Sequence, residues 1–244
     1  MTPSNLMRMG AATEIASSEG HIAAILLFGS RARRDEKRGS DTDLLLVVPD
    51  GEPRHLSWDN FSMFLYAWPK LLKDAAEGDL FVCHIVREAK AVFDPTDKLD
   101  ELRTNFRLRP KYDNLIQHAG DLAWFLDRFG GGLNSGVVAR RMMWCVRTLL
   151  IARSAEMGRP TFAPNALAAF SSSEVASDLL AARHQRRVDA AFRGRFRRFI
   201  AHECPPTVWH LEASSEEFAR RFADTDNRVA LESLRRSEEF GFYR

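Results

Sequence analysis

A charged loop between two apolar segments most constrains the fold of this chain. Residues 21–28 (HIAAILLF) and 43–48 (DLLLVV) are short apolar runs, and such runs predict two buried strands. The loop between them begins with a Gly-Ser pair and leads into two aspartates, Asp41 and Asp43. Carboxylates at the edge of an apolar sheet are costly unless a cation meets them. The segment therefore predicts a sheet with a charged site at its edge.

The two aspartates occupy alternate positions where the second predicted strand begins. Alternate residues of a strand point to the same face, so their carboxylates should lie side by side, with Cα atoms about 7 Å apart. A divalent cation relieves the repulsion between them, and Mg²⁺ prefers carboxylate and phosphate oxygens. Gly29 lets a phosphate approach the backbone, and Ser30 offers a hydroxyl where a short helix is predicted. The loop thus offers contacts for a triphosphate at one end and metal ligands at the other.

These residues resemble the signature of the DNA polymerase beta-type nucleotidyltransferase superfamily, in its minimal nucleotidyltransferase-like branch with a C-terminal helical domain. That branch commonly has Gly-Ser-x-Ala-Arg-Gly, followed by Ser-Asp-x-Asp-Leu. This chain has GSRAR at 29–33 and SDTDL at 40–44, and it departs from the pattern at Arg34, where the branch usually has glycine. The resemblance covers about residues 20–94 of the chain.

The resemblance implies a transferase that moves a nucleoside monophosphate from a nucleoside triphosphate, ATP among them, to a hydroxyl and releases pyrophosphate. It implies Mg²⁺ or Mn²⁺ as the cofactor, held by Asp41 and Asp43 as catalytic metal ligands. The nucleotide-binding residues that it implies are Gly29, Ser30, Arg33 and Ser40.

A third carboxylate on a neighbouring strand commonly completes such sites, and its position here is open. The third predicted strand, 79–86 (DLFVCHIV), has His84 as its only polar interior residue. A histidine there could act as a general base or hold a metal, although a lone histidine is more often bonded to the backbone. Asp79, at the start of the segment, is the next candidate. Without either, the chain would be a one-metal enzyme or a nucleotide-binding pseudoenzyme.

The whole pattern predicts an α+β chain, with a small mixed-sheet nucleotidyltransferase domain at 1–109 and an all-α helical bundle at 110–244. In the first domain we expect a fourth strand at 90–94 and helices at 2–19, 30–34, 56–77 (kinked or divided at Pro69) and 95–106. In the second we expect helices at 111–129, 134–157, 165–183 (broken), 186–202, 214–223 and 226–240.

The helical half contains an arginine-rich segment, with seven arginines between Arg183 and Arg198. Such a face could bind an RNA backbone, and the alternative is an amphipathic helix that turns its phenylalanines inward. Arg197 and His202 also fit the Arg-x4-His motif of HEPN ribonucleases, helical proteins often paired with minimal nucleotidyltransferases. A HEPN-like ribonuclease and a non-catalytic nucleotide sensor therefore remain as alternative functions.

Charge and composition bound the partners. Residues 1–94 carry 11 Lys/Arg and 14 Asp/Glu, whereas residues 95–244 carry 24 and 19. The basic second half favours a macromolecular acceptor, protein or RNA, over a small molecule, as in toxin–antitoxin or defence settings. Three scattered cysteines and the lack of a signal peptide or membrane span predict a cytoplasmic protein. The sequence selects neither the nucleobase nor the oligomeric state.

Overall fold

The structure is a computed structural model that describes residues 22–37, 39–185 and 187–241. The helix expected at 2–19 lies outside the described residues. The chain divides into two compact units, Met1–Arg109 and Pro110–Arg244. A five-stranded sheet in the first unit and helices throughout the second confirm the expected α+β class. Among the described residues, no helix is long and apolar enough to cross a membrane.

The first unit is built on one mixed sheet. Its strand order is β3-β4-β2-β1-β5, in which β2 and β4 run parallel and the other neighbouring pairs run antiparallel. The elements in chain order are β1 (Ala24–Phe28), α1 (Gly29–Arg33), β2 (Thr42–Val48), β3 (Arg54–Trp58), β4 (Phe61–Ala67), α2 (Trp68–Ala76), α3 (Leu80–Glu88), β5 (Lys90–Phe93) and α4 (Lys98–Asn105).

Alternation along the strands creates two apolar faces. One face packs against α2, α3 and α4, and its cluster includes Leu26, Phe28, Leu45, Leu71 and Ile85. The opposite face forms a separate buried cluster of Ile25, Leu44, Leu46, Phe61, Met63 and Leu65. Each fully buried side chain of this size contributes about 1.5–3 kcal/mol. Because Asp43 has the same strand parity as Leu45, its side chain lies on the helix-covered face, at the end of β2.

The helix expected at 56–77, kinked or divided at Pro69, is wrong for the part before Trp68. The structure has the β3–β4 hairpin there, and α2 begins only at Trp68. Buried and half-buried residues alternate through β4, which is the period of a strand. A tight turn at Asp59 and Asn60 closes the hairpin, with Asp59 in the left-handed region at φ 52°. Pro69 lies in the first turn of α2, where its missing N–H costs nothing, so it begins a helix instead of kinking one.

The strand expected at 79–86 is also wrong, because this segment forms α3. The carboxylate of Asp79 caps the helix by accepting hydrogen bonds from the backbone N–H groups of Phe81 (2.8 Å) and Val82 (3.0 Å). His84 therefore lies on a helix that packs on the sheet, and not on a strand beside the aspartates. The expected strand at 90–94 is confirmed as β5.

The second unit consists of helices around one apolar core. The core includes the phenylalanines Phe192, Phe196 and Phe199, all fully buried, so the inward-facing alternative for the arginine-rich helix is confirmed. The short helix at Val208–Glu212 was not expected from the sequence. The helices are α5 (Asp113–Phe129), α6 (Ser135–Glu156), α7 (Pro164–Phe170), α8 (Ala176–Ala181), α9 (Ala190–Glu203), α10 (Val208–Glu212), α11 (Ser215–Asp224) and α12 (Arg228–Gly241), with a 3-10 turn at Gly130–Gly132.

Candidate active site

The Gly-Ser turn and the second aspartate meet where β1 and β2 end. Phe28, the last residue of β1, pairs with Asp43 of β2. Gly29 follows with φ +72°, a conformation that favours glycine. A Cβ at this position would lie 2.5 Å from Oδ2 of Asp43, closer than real Cβ contacts. Glycine is therefore required both for the backbone conformation and for the space that the carboxylate occupies.

Arg31 fixes the loop that carries the first aspartate. Its Nη2 donates to the carbonyl oxygen of Ser40 (3.0 Å) and its Nε to that of Asp41 (3.3 Å). The buried Ser40 also closes a turn with Lys37, since its Oγ accepts from the Lys37 N–H at 2.9 Å. These bonds hold the backbone of Asp41 while its side chain stays exposed. The sequence did not indicate Arg31 as part of the site. The available signal is an arginine within a loop whose backbone carbonyl groups need hydrogen-bond donors.

Arg34 stands where the resembled motif has glycine, and it keeps a glycine-like conformation. Its φ and ψ are 67° and 33°, in the left-handed region, and it ends α1. The next residue, Asp35, donates its N–H to the carbonyl of Ser30 at 3.0 Å. A residue with a Cβ costs about 1–2 kcal/mol in this region. The departure from the motif therefore alters stability, while the turn is kept.

Arg33 and His84, two of the predicted site residues, belong to one ion-pair cluster that joins α1 to α3. Arg33 donates to Oε2 of Glu88, and Nε2 of His84 lies 2.8 Å from the same oxygen. The His84 ring packs edge-on against Phe28, with centroids 5.3 Å apart. Burial raises the pKa of Glu88, but the hydrogen bond from His84 and the charge of Arg33 outweigh it, so the pKa lies below its ordinary value. We call Arg33, His84 and Glu88 the Glu88 cluster.

The strand beside the aspartates is β4, and it presents a hydroxyl next to Asp43. Ser62 is the register partner of Asp43 in the parallel β2–β4 pair, so the two side chains share a face. Nε2 of His55, on β3, lies 2.8 Å from Oγ of Ser62. The His55 ring rests on Phe64, with centroids 4.5 Å apart and planes tilted by 33°. Because a helix is expected at 56–77, the sequence does not indicate His55 or Ser62 as site residues. The Asp59-Asn60 turn, which predicts a hairpin, is the signal that could have identified them.

Comparison with known proteins agrees with this geometry for the first unit. Residues 11–94 match the family described as "Polymerase beta, Nucleotidyltransferase". Over this range the chain is similar to a polymerase beta-type nucleotidyltransferase domain. A comparison with curated proteins gave no match. The solved structures that match include a nucleotidyltransferase-like protein from Exiguobacterium sibiricum 255-15, at 16% identity over 91% of this chain and 77% of that one. Its TM-score is 0.29, and that likeness carries no argument about this chain.

The donor set of the nucleotidyltransferase domain fits Mg²⁺ bound together with a nucleotide. Mg²⁺ is usually held by one or two carboxylates plus substrate phosphates and water. Asp41, which is exposed, and Asp43, which is half-buried, supply two carboxylates at one end of β2. Throughout the described residues, no group of three or more His, Cys, Asp or Glu side chains could hold a metal ion.

The ribonuclease alternative gains no support from the helical unit. Arg197 and His202 are five residues apart on α9, which places them about 140° apart around the helix. Nε of Arg197 donates to Oδ2 of Asp127 at 2.8 Å, and Nδ1 of His202 lies 3.6 Å from Oε1 of Glu203. The two side chains thus face different partners instead of one shared phosphate.

Proposed function

We propose that this chain is a metal-dependent nucleotidyltransferase that transfers a nucleoside monophosphate from a nucleoside triphosphate to a hydroxyl acceptor. The observation that carries the proposal is the contact between Gly29 and the carboxylate of Asp43. It brings a turn without a side chain, which a phosphate can approach, against a candidate metal ligand. The family match over residues 11–94 supports the same chemistry.

Each residue of the site has a definite role in this proposal. Asp41 and Asp43 hold Mg²⁺, which when bound neutralises the triphosphate and orients it for attack. Gly29 and the hydroxyl of Ser30 contact the phosphates. Arg31 and Ser40 keep the loop in shape, so that little reorganisation is needed when the nucleotide binds. The Glu88 cluster holds α1 against α3 and thereby fixes the Gly-Ser turn.

The acceptor in this proposal is a hydroxyl of a protein or an RNA, in a toxin–antitoxin or defence setting. The support is the excess of basic residues in the second half of the chain, which contains 24 Lys/Arg and 19 Asp/Glu. A cytoplasmic location, where triphosphates and Mg²⁺ are both present, goes with this proposal.

A nucleotide sensor is the second candidate. It is favoured by one observation, namely that Ser62 occupies the strand position beside Asp43 where a third carboxylate is expected. A sensor would bind the triphosphate through the same loop without transferring it.

A transfer assay separates the two candidates. The purified protein is incubated with Mg²⁺, a nucleotide-free cell extract and each nucleoside triphosphate labelled at the α-phosphate. We expect label in acid-insoluble material with the native chain and none with the Asp41→Asn/Asp43→Asn variant. The control is Asp50→Asn, an exposed aspartate just beyond the opposite end of β2, which should behave as the native chain does. Binding of nucleotide that depends on the aspartate pair but yields no transfer would favour the sensor.

A further inference from the structure

We propose that Ser62 and His55 form a proton relay for the attacking hydroxyl. This inference rests on the proposed function, and it assigns the acceptor side of the same site. Neither side chain is a carboxylate. In this proposal the hydrogen-bonded pair takes the proton of the attacking hydroxyl, as a third carboxylate does in other sites of this type.

The strand order places the pair on the correct flank of Asp43. The order β4-β2-β1 puts the Gly29 turn on one side of Asp43 and Ser62 on the other. Neighbouring strands are about 4.8 Å apart, so both flanks lie within reach of one bound phosphate group. The attacking and leaving oxygens of a transferred phosphoryl group are roughly in line. With pyrophosphate leaving on the Gly29 side, the attacking hydroxyl arrives on the Ser62 side.

The contact between the two residues suits proton transfer. Nε2 of His55 and Oγ of Ser62 are 2.8 Å apart, within the range of a hydroxyl and its activating base. Stacking on Phe64 fixes the plane of the imidazole. His55 is exposed, so a proton that it accepts can pass on to water.

The proposed step conserves atoms and charge. The acceptor oxygen forms a bond to the α-phosphorus as the bond from that phosphorus to the bridging oxygen breaks, and pyrophosphate leaves with the electron pair. The acceptor proton moves to Oγ of Ser62 while the Ser62 proton moves to Nε2 of His55. His55 ends the step as an imidazolium and returns its proton to solvent.

The other candidates for this role are engaged in holding helices. Oε2 of Glu88 is shared by Arg33 and His84, and Oδ1 of Asp79 accepts two backbone N–H groups at the start of α3. Ser62 and His55 lie on the two strands that extend the sheet outward from Asp43.

The test measures the initial rate of label transfer from the α-phosphate into extract material, with the nucleoside triphosphate varied. His55→Gln keeps a hydrogen bond to Ser62 but cannot take a proton. We expect kcat to fall about a hundredfold in His55→Gln and in Ser62→Ala, with KM for the triphosphate nearly unchanged. The double variant should be no slower than either single one, because both changes interrupt one relay. Imidazole in the buffer should restore part of the rate of His55→Ala, since that position is open to solvent.

The control is Ser57→Ala, which removes the same hydroxyl from the strand partner of Ser62, one strand further from Asp43, and should leave kcat unchanged. The relay is overturned by a His55→Gln variant that keeps its native kcat, by losses that multiply in the double variant, or by His55→Ala that imidazole does not rescue. Transfer that requires Asp43 but does not depend on His55 would contradict the relay and leave the proposed function intact. A native chain that transfers nothing would overturn the proposed function and the relay together.

Discussion

Aspartates serve opposite purposes in the two units of this protein. In the helical unit Asp121 is 2% exposed, and it accepts hydrogen bonds from Nε2 of His210 (2.8 Å) and Nε of Arg221 (2.6 Å). In the sheet unit Asp41 is exposed and Asp43 half-buried at the end of a strand. A buried carboxylate is tolerated only when cations and hydrogen bonds compensate its desolvation. The helical unit surrounds Asp121 with its own donors, whereas the sheet unit leaves the side chain of Asp41 exposed to solvent.

The same contrast changes the interpretation of the arginines. Arg197 binds Asp127, Arg153 binds Glu203, and Arg193 donates to the carbonyl oxygens of Leu126 and Asp127 at the end of α5. These guanidinium groups hold helices of the bundle together through ion pairs and hydrogen bonds to the backbone. Each of the two ion pairs joins one base to one acid, so the excess of basic residues in the second half remains.

The largest effect is expected at the internal network. Asp121→Ala leaves His210 and Arg221 without their shared acceptor and should lower the free energy of unfolding by about 3–5 kcal/mol. Chemical denaturation followed by tryptophan fluorescence measures this. Asp224→Ala, at an exposed position in the same unit, serves as the control and should change stability by less than about 0.5 kcal/mol. A loss below about 1 kcal/mol in Asp121→Ala would remove the contrast between the units.

At Asp41, beside the start of β2, we expect the reverse: a loss of activity without a loss of stability. Asp41→Asn should reduce nucleotidyl transfer at least about a hundredfold, or about 2.7 kcal/mol of transition-state stabilisation. Its unfolding free energy should stay within about 0.5 kcal/mol of native, because the side chain is exposed. Transfer kinetics and denaturation on one preparation measure both quantities. Lost stability with intact transfer would show that Asp41 is structural, as Asp121 is.

Gly29→Ala combines a stability effect with a functional one. The new methyl group would meet Oδ2 of Asp43 in a backbone conformation that already disfavours alanine, so we expect a loss of about 2–3 kcal/mol and impaired transfer. Gly39→Ala is the matched control, because its φ is +85° but nothing lies within 4 Å of the added Cβ. It should cost only the backbone part, about 1–2 kcal/mol. Equal losses in the two variants would argue against the contact with Asp43.

The Glu88 cluster gives the sheet unit one internal ion-pair network, and its effect should depend on pH. The pKa of Glu88 lies below its ordinary value of 4.5, so its contribution is present above that value and is lost as the pH falls through the folded-state pKa. Glu88→Gln should lose about 1 kcal/mol of stability near pH 7, with the difference from native shrinking towards zero in acid. Denaturation across this pH range measures it. A difference that stays constant with pH would show that the charge of Glu88 contributes nothing. The control is Glu101→Gln, which changes an exposed carboxylate that also forms an ion pair.

The smallest expected effect is a gain. Arg34→Gly removes a Cβ from a left-handed position and should raise the free energy of unfolding by about 0.5–1 kcal/mol. Transfer should remain unchanged, because the turn keeps its conformation. Lower stability in the glycine variant would show that the Arg34 side chain makes a contact worth more than the strain.

The sequence indicated the position of the loop correctly, because its motif acts locally: Gly29 has the positive φ that such a turn requires, and Asp43 lies beside that turn on β2. Asp41 lies just before β2, and the role of both aspartates stays a prediction. The acceptor side was not predictable in the same way. Which strand lies beside Asp43 depends on the long-range pairing of β2 with β4, and no local pattern encodes that pairing.

Two segments have the opposite secondary structure from the one expected, for a related reason. The run FSMFLYA places aromatic residues at spacings that suit either a helix or a strand, and DLFVCHIV is short, apolar and equally ambiguous. Boundary residues decide both cases: the Asp59-Asn60 turn closes a hairpin, and Asp79 caps a helix. Because Asp79 caps this segment as a helix, His84 lies on α3 and not on the strand that the apolar run suggested.

The pairing of β1 has a consequence for the order in which the sheet assembles. Leu27 pairs with Leu44, 17 residues further along the chain, but also with Lys90, 63 residues further. Closing the longer loop costs about 1 kcal/mol more entropy, so we expect β5 to join last. Pulse-labelled hydrogen exchange during refolding should protect the amides of β1 and β2 before those of β5. The candidate site, which spans only residues 29–62, would then be complete before β5 has paired.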